Sequence, residues 1–190
     1  MAFFETGYPG LVVFEPAVFE DSRGYFFESY NENIFSQFGI KTAFVQDNQS
    51  SSEYGVIRGL HFQAPPYAQS KLIRVLSGKI LDVGVDIRTG SPTYGKVFYI
   101  ELSAENKKQL YLPKGFAHGF SVLSEKAEVL YKCDAFYNKQ SEQGILFNDP
   151  HLGIDWRIPA DKIKVSEKDF MNKRFTDLKS DFSFDLPGIY

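Results

Sequence analysis

The run Leu81-Asp82-Val83-Gly84-Val85-Asp86-Ile87-Arg88 alternates apolar with polar or small residues without a break. A period of two is the signature of a strand, not of a helix. A short apolar segment, Leu72 to Leu76, precedes it, and Ser77-Gly78 between the two predicts a hairpin. Val97 to Leu102 reads as another strand, bounded by Gly90-Ser91-Pro92 before it and by Ser103 to Asn106 after it. Gln109 to Leu112, Gly119 to Leu123 and Glu128 to Phe136 follow. Strands this closely spaced, broken by turn residues and by no long helix, point to an antiparallel β-sandwich or jelly roll and away from a parallel α/β sheet.

Helix is expected only at the periphery. Asn31 to Phe38 carries Ile34, Phe35 and Phe38 ahead of Gly39, and Ser166 to Leu178 opens with the capping pattern Ser166-x-x-Asp169. The 190 residues fit one domain spanning 1–190, with the tail from Ser180 as a docked or loose extension. The formal net charge is -3, and basic residues are scattered among acidic ones, which argues against nucleic acid as a partner. Any phosphate bound here must meet a local site. A single cysteine, Cys133, excludes an internal disulfide, and residues 1–16 lack the basic and apolar regions of a signal peptide. No stretch reaches the roughly 20 apolar residues that span a bilayer, so a cytoplasmic protein without membrane contact is expected. Nineteen Phe and eleven Tyr favour β structure and also supply flat faces for stacking on rings.

Two of the three histidines stand in distinctive company: His61 in Arg58-Gly59-Leu60-His61-Phe62-Gln63, and His118 in Pro113-Lys114-Gly115-Phe116-Ala117-His118. The second segment resembles the Pro-x-Gly-x-x-His element of cupins, a jelly-roll class in which histidines and a carboxylate commonly hold a metal. Here that ligand set is broken, because Gln63 stands where a second histidine is needed and Tyr67-Ala68 where a carboxylate is needed. No metal and no other cofactor is therefore expected.

The same pieces resemble, far more specifically, the dTDP-4-dehydrorhamnose 3,5-epimerase family. The matches run in order through Asp21 to Glu28, Gln46-Asp47-Asn48 with Ser50, Gly55 to Gln63, Gln69 to Val75, Asp82 to Arg88 and Ser91-Pro92-Thr93. They continue through Pro113 to Phe120, Tyr131-Lys132, Tyr137, Glu142 to Ile145, Asn148-Asp149 and Ser166 to Asp169, covering about residues 10–170. Phe147 stands where the family pattern leads one to expect Trp. The resemblance implies a mainly β, cupin-type jelly roll that epimerises dTDP-4-dehydro-6-deoxy-D-glucose at C3 and C5 to dTDP-4-dehydro-L-rhamnose. It implies His61 as general base oriented by Asp169, Tyr131 as acid on the opposite face, and Lys71 at the oxyanion. Arg58 and His118 would meet the diphosphate. Arg23, Phe26 and Glu28 would reach the nucleotide from the other subunit of a homodimer, Gln46, Asp47 and Asn48 would line that end, Tyr137 would stack on thymine, and Glu142 and Lys168 would complete the pocket.

The chemistry asks for these residue types on its own account. A hydrogen beside a ketone is acidic because the anion delocalises as an enolate, so the site needs a base near neutrality and a cation or donor at the ketone oxygen. Inversion further needs a proton donor on the other face, for which a tyrosine serves. Each residue taken singly also has a plainer reading. Histidine is more often a hydrogen-bonded structural residue, Asp169 fits a helix cap, Tyr131 fits a core strand, and Lys71 a solvated one. Arg58 and Arg23 precede glycines and fit turns, and Phe26 and Tyr137 fit core or interface aromatics. Asp82, Asp86 and Arg88 read as paired structural charges on one strand face. Two other functions compete: epimerisation at C3 or C5 alone in another dTDP-deoxysugar pathway, and a noncatalytic cupin that binds a sugar nucleotide.

Overall fold

Successive strand residues face opposite ways, and the alternating run shows what each of its faces is for. The computed structural model describes residues 1–184. In chain order the strands are β1 (Ala2–Glu5), β2 (Val12–Glu15), β3 (Phe19–Asp21), β4 (Gly24–Phe26), β5 (Gln46–Glu53), β6 (Ile57–Gln63) and β7 (Lys71–Ser77). They continue as β8 (Lys79–Asp86), β9 (Val97–Ser103), β10 (Gln109–Leu112), β11 (Phe116–Val122), β12 (Lys126–Cys133) and β13 (Glu142–Gly144). Two short helices, α1 (Glu32–Gln37) and α2 (Glu167–Phe170), lie outside them. A six-stranded sheet, ordered β1-β2-β10-β7-β12-β5, faces a five-stranded sheet, ordered β13-β6-β11-β8-β9, as a cupin-type jelly roll. The pair β3–β4 stands apart as a two-stranded ribbon.

In β8 the apolar set Leu81, Val83 and Val85, followed by Ile87, turns away from the opposing sheet. There it packs with Leu60 and Phe62 of β6 under a cover of Phe147, Trp156, Phe175 and Phe182 from the C-terminal segment. The alternate set, Ile80, Asp82, Gly84 and Asp86, faces the interior between the sheets. Ile80 joins there Val13, Ile73, Val75, Leu110, Phe116, Phe120 and Val129, contributed by both sheets. Both faces are thus buried, and Asp82 and Asp86 are completely inaccessible. Asp86 survives there because Arg88 donates to it through Nε (2.9 Å) and Nη2 (2.7 Å) while Ser91 and Thr93 donate their hydroxyls at 2.6 and 2.7 Å. Burial opposes the Asp86 charge, but these partners outweigh it and hold the carboxyl below its ordinary range.

Three expectations need correction, and one strand is added to those expected. Leu72 to Leu76 and Leu81 to Arg88 do not form a hairpin: β7 pairs with β10 and β12 in one sheet, and β8 with β9 and β11 in the other. Ser77-Gly78 is instead a corner between sheets. Gly78 has φ +75°, and a Cβ there would lie 2.0 Å from the Lys126 carbonyl oxygen, so only glycine lets the chain turn against β12. The helix expected from Ser166 to Leu178 ends at Phe170, because Lys173 pairs with Ile145 as a bridge and its carbonyl accepts from Leu146 at 2.8 Å. The strand expected from Glu128 to Phe136 runs from Lys126 to Cys133. Beyond it the Ala135 and Phe136 carbonyls accept from the side chains of Gln69 (2.7 Å) and Gln63 (3.2 Å), not from a neighbouring strand. Finally, Gln46-Asp47-Asn48-Gln49-Ser50-Ser51-Ser52-Glu53 contains no apolar residue yet forms β5, held by pairing with β12 along its whole length. Part of the tail is docked: Phe182 is buried and Ser183 bridges to Thr89, while residues 185–190 lie outside the described ones. No helix among the described residues is long and apolar enough to cross a membrane.

Replacing Arg88 by Met keeps its volume but leaves the Asp86 carboxylate buried without its cation. A loss of about 3 to 5 kcal/mol is expected, read as a lowered urea midpoint with unchanged slope. A midpoint equal to the parent's would show that Ser91 and Thr93 suffice for Asp86.

Candidate active site

The interior polar row opens into a cavity of about 460 Å³, within the usual range for small-molecule sites. Its walls come from the two sheets. His61 on β6 and His118 on β11 are cross-strand partners and face the interior side by side. Lys71 on β7 and Cys133 on β12 are partners in the other sheet, with Tyr131 two residues before Cys133 on the same face.

Arg58 and His61 are three residues apart, a spacing that puts side chains on opposite faces of a regular strand. Here the register between β6 and β11 shifts between His118 and Phe120, so that three steps on one strand match two on the other. Both side chains consequently reach the cavity. Gly59 makes the close approach possible: a Cβ on it would stand 2.6 Å from both Gly119 Cα and the His118 carbonyl oxygen.

Asp169 is buried and meets His61 Nε2 at 2.5 Å. It is also the third residue of α2, where its backbone N–H donates to the Ser166 hydroxyl oxygen (3.3 Å), so the capping role and the contact with His61 coexist. Burial works against the Asp169 charge, but His61 outweighs it and holds the carboxyl below the ordinary range. On the facing wall Tyr131 Oη lies 3.0 Å from Ser50 Oγ, and burial pushes its phenol well above the ordinary tyrosine value. Burial likewise holds the Lys71 amine below the usual lysine range, against the pull of Cys133, Asp82 and Glu142. Lys71 is thus a cavity cation and not a solvated strand charge.

His118 is 5% exposed, and its Nε2 lies 3.0 Å from each carboxylate oxygen of Asp82. Asp82 is therefore a functional neighbour that strand patterning misses. Its alternation with valines reads as a structural charge paired along its own strand face, and only the sheet pairing turns it onto His118. The mouth of the cavity carries Arg58, Lys164 and Lys168. Arg58 Nε donates to Ser52 Oγ (2.9 Å), while Glu142 pairs with Lys168 Nζ (2.6 Å) and accepts from the Tyr137 hydroxyl (2.8 Å). Asn48 lines the cavity and accepts from Gln46 Nε2 at 2.9 Å, whereas Asp47 points to the other face and pairs with Lys132 at 3.0 Å. Gln46 Oε1 accepts from the Tyr137 backbone N–H at 3.0 Å, which ties β5 to the mouth.

Arg23, Phe26 and Glu28 do not line this cavity. The first two stand on the β3–β4 ribbon, where Phe26 is 68% exposed and Arg23, among the described residues, pairs with Asp21, and Glu28 accepts from Asn31 Nδ2 at 3.1 Å. Gln63, in the position of a metal ligand, has both ends engaged: Nε2 donates to the Tyr67 carbonyl (2.6 Å) and Oε1 accepts from Asn138 N–H (2.7 Å). Among the described residues no group of three or more His, Cys, Asp and Glu side chains is placed to hold a metal ion.

Known proteins resemble this chain over nearly its whole length. The family model described as dTDP-4-dehydrorhamnose 3,5-epimerase matches residues 5–177. The dTDP-4-dehydrorhamnose 3,5-epimerase of Shigella flexneri is 50% identical over 178 residues, covering 93% of this chain and 97% of that protein. The crystal structure of the enzyme of the same name from Elizabethkingia anophelis superposes with a TM-score of 0.90 at 53% identity, covering 93% of this chain and 97% of the other. The dTDP-6-deoxy-D-glucose-3,5-epimerase of Legionella pneumophila, solved in complex with dTDP-4-keto-L-rhamnose, superposes with a TM-score of 0.89 at 44% identity, covering 93% and 94%.

The His61–Asp169 contact carries a pH signature. The folded-state pKa of Asp169 lies below the unfolded value of about 3.9. The stability its charge contributes is therefore present above that value and lost as pH falls through the depressed one. Asp169→Asn should be less stable than the parent near neutral pH, and the two should converge in acid below the depressed value. Urea midpoints between about pH 7 and pH 2 check this, and a gap that stays constant would show that the contact contributes no charge-dependent stability.

Proposed function

The chain belongs to the dTDP-4-dehydrorhamnose 3,5-epimerase family, and from that premise we propose that His61, Asp169, Lys71 and Tyr131 carry its chemistry. The protein is an isomerase that converts dTDP-4-dehydro-6-deoxy-D-glucose to dTDP-4-dehydro-L-rhamnose by inverting C3 and C5. The observation that supports the residue roles is their division between walls. The His61–Asp169 pair sits on the five-stranded sheet side, and Tyr131 and Lys71 sit on the six-stranded sheet.

A flat enolate between those walls has one face toward His61 and the other toward Tyr131. His61 takes the proton from carbon; Asp169 holds the imidazole in place and stabilises the imidazolium that forms. The carbon–hydrogen electron pair becomes the enolate double bond, and the carbonyl oxygen gains the negative charge. Lys71, whose lowered pKa makes it a readier hydrogen-bond donor, meets that oxygen. Tyr131 then gives its proton to the carbon from the other side, and the configuration inverts. His118, 5% exposed and held by Asp82, is assigned with Arg58 to the diphosphate. Arg58, Lys164 and Lys168 offer the positive charge that a diphosphate needs in an otherwise acidic protein, and Tyr137, 55% exposed at the mouth, offers a face for the thymine.

The proposed unit is a homodimer with shared sites. The β3–β4 ribbon exposes Phe19, Tyr25 and Phe26 together with Arg23 and touches none of its own cavity. Aromatic side chains displayed this way fit a surface covered by a second copy, which would bring Arg23, Phe26 and Glu28 to the nucleotide end of the partner's pocket.

Turnover of dTDP-4-dehydro-6-deoxyglucose in heavy water tests the reaction and the roles together. Deuterium at both C3 and C5 is expected, and deuterium at one alone would restrict the activity to a single centre. In Tyr131→Phe, exchange should persist while inversion falls by about 10²- to 10⁴-fold, and His61→Ala should lose both. Inversion at the parent rate in Tyr131→Phe would return that tyrosine to a packing role. Mixing the inactive variants Arg23→Ala and His61→Ala should restore partial turnover, since one pocket of each heterodimer regains both groups. No recovery despite proven subunit exchange would contradict a shared site.

A further inference from the structure

We propose that Ser50 is a positioning residue for the acid step: its hydroxyl holds the Tyr131 hydroxyl toward the substrate and donates to the phenolate left after proton transfer. This rests on the reading of Tyr131 as the acid. On β12, Tyr131 is the partner of Asn48 and Val129 the partner of Ser50, so Ser50 lies diagonally across the strand pair on the same interior face. From there its Oγ reaches Tyr131 Oη at 3.0 Å. Among the described residues it is the side chain hydrogen-bonded to that hydroxyl. The surroundings otherwise disfavour a phenolate: burial and the Asp82 charge oppose it, and Ser50 and Arg58 favour it.

The alternate inward residues of β5 explain how a strand without a single apolar residue serves the site. Ser52 accepts from Arg58 Nε at 2.9 Å, and Ser50 takes the tyrosine, so each short hydroxyl fixes one long side chain of the cavity. The step balances within these groups. The Tyr131 O–H bond breaks as the enolate π pair forms the new C–H bond, leaving a phenolate, and Ser50 turns its O–H toward it. Ser50 is partly accessible, so in a concerted relay it passes its proton to the phenolate as it takes one from water; the hydroxide left is neutralised by the proton that the His61 imidazolium releases, and every group returns to its starting state.

Rates of deuterium exchange and of inversion in heavy water, measured for Ser50→Ala, Ser50→Thr, Tyr131→Phe and the double variant Ser50→Ala/Tyr131→Phe, decide the matter. Ser50→Ala should lose about 10- to 100-fold in inversion, the usual worth of a hydrogen bond to a charged group, while exchange by His61 is retained. Ser50→Thr, which keeps the hydroxyl, should recover most of the inversion. The double variant should invert no more slowly than Tyr131→Phe, because a residue acting only through Tyr131 has nothing left to act on. The proposal is overturned if Ser50→Ala inverts at the parent rate, if its exchange and inversion fall together, or if the double variant loses the full Ser50 factor again. Parent-rate inversion in Tyr131→Phe overturns the acid assignment itself, and the role of Ser50 with it; normal behaviour of Tyr131→Phe beside an unaffected Ser50→Ala overturns the role of Ser50 alone.

Discussion

A polar side chain shut between two sheets needs a partner there, since water is excluded and an unpaired charge is costly. In this protein the partnering is done largely in pairs. Asp86 takes Arg88, Asp82 takes His118, Asp169 takes His61, and Ser50 takes Tyr131. The first pair is sealed in the structure and ends as a brace beneath the C-terminal segment. The other three border the cavity, where His118, Tyr131 and both His61 and Asp169 face the space a substrate would occupy. The same demand for satisfaction thus yields stability at one end of the interior and chemistry at the other.

The two-sheet architecture does more than enclose these groups. Antiparallel pairing brings His61 beside His118, and Lys71 beside Cys133 with Tyr131 next along the same face, each set on its own wall. Inversion of a carbon beside a ketone needs a base and an acid on opposite sides of a plane. A cavity walled by two sheets offers that separation. The shift in register between β6 and β11 adds Arg58 at the mouth to the face that already carries His61.

Outside the cavity, the exposed aromatic ribbon and the buried interior represent opposite solutions for large side chains. Phe116 and Phe120 are buried within the core between the sheets, whereas Phe19, Tyr25 and Phe26 are exposed on a separate strand pair, where Lys107 Nζ lies 4.4 Å from the centre of the Tyr25 ring. In the proposed dimer that display is completed by the second subunit, so the nucleotide end of each site depends on assembly.

Much of the strand content, the antiparallel class and the ordered family motifs are legible along the chain, and the resemblance those motifs carry is what implies His61, Lys71, Tyr131 and Asp169 as the groups for enolate chemistry. The first two are legible because period-two alternation and turn residues are local properties, whereas the residue roles rest on the resemblance. Which sheet each strand joins is set by long-range pairing, so an expected hairpin at Ser77-Gly78 became a corner between sheets. It also made β5 a strand although no residue in it is apolar, and it gave Asp82, expected to pair along its own strand face, to His118 on the neighbouring strand. Pairing register, the bulge beside Gly59 and the return of α2 onto His61 join residues far apart along the chain, 108 positions apart for His61 and Asp169. Contacts over such separations are chosen by packing and by the need to satisfy buried groups, which no local pattern encodes.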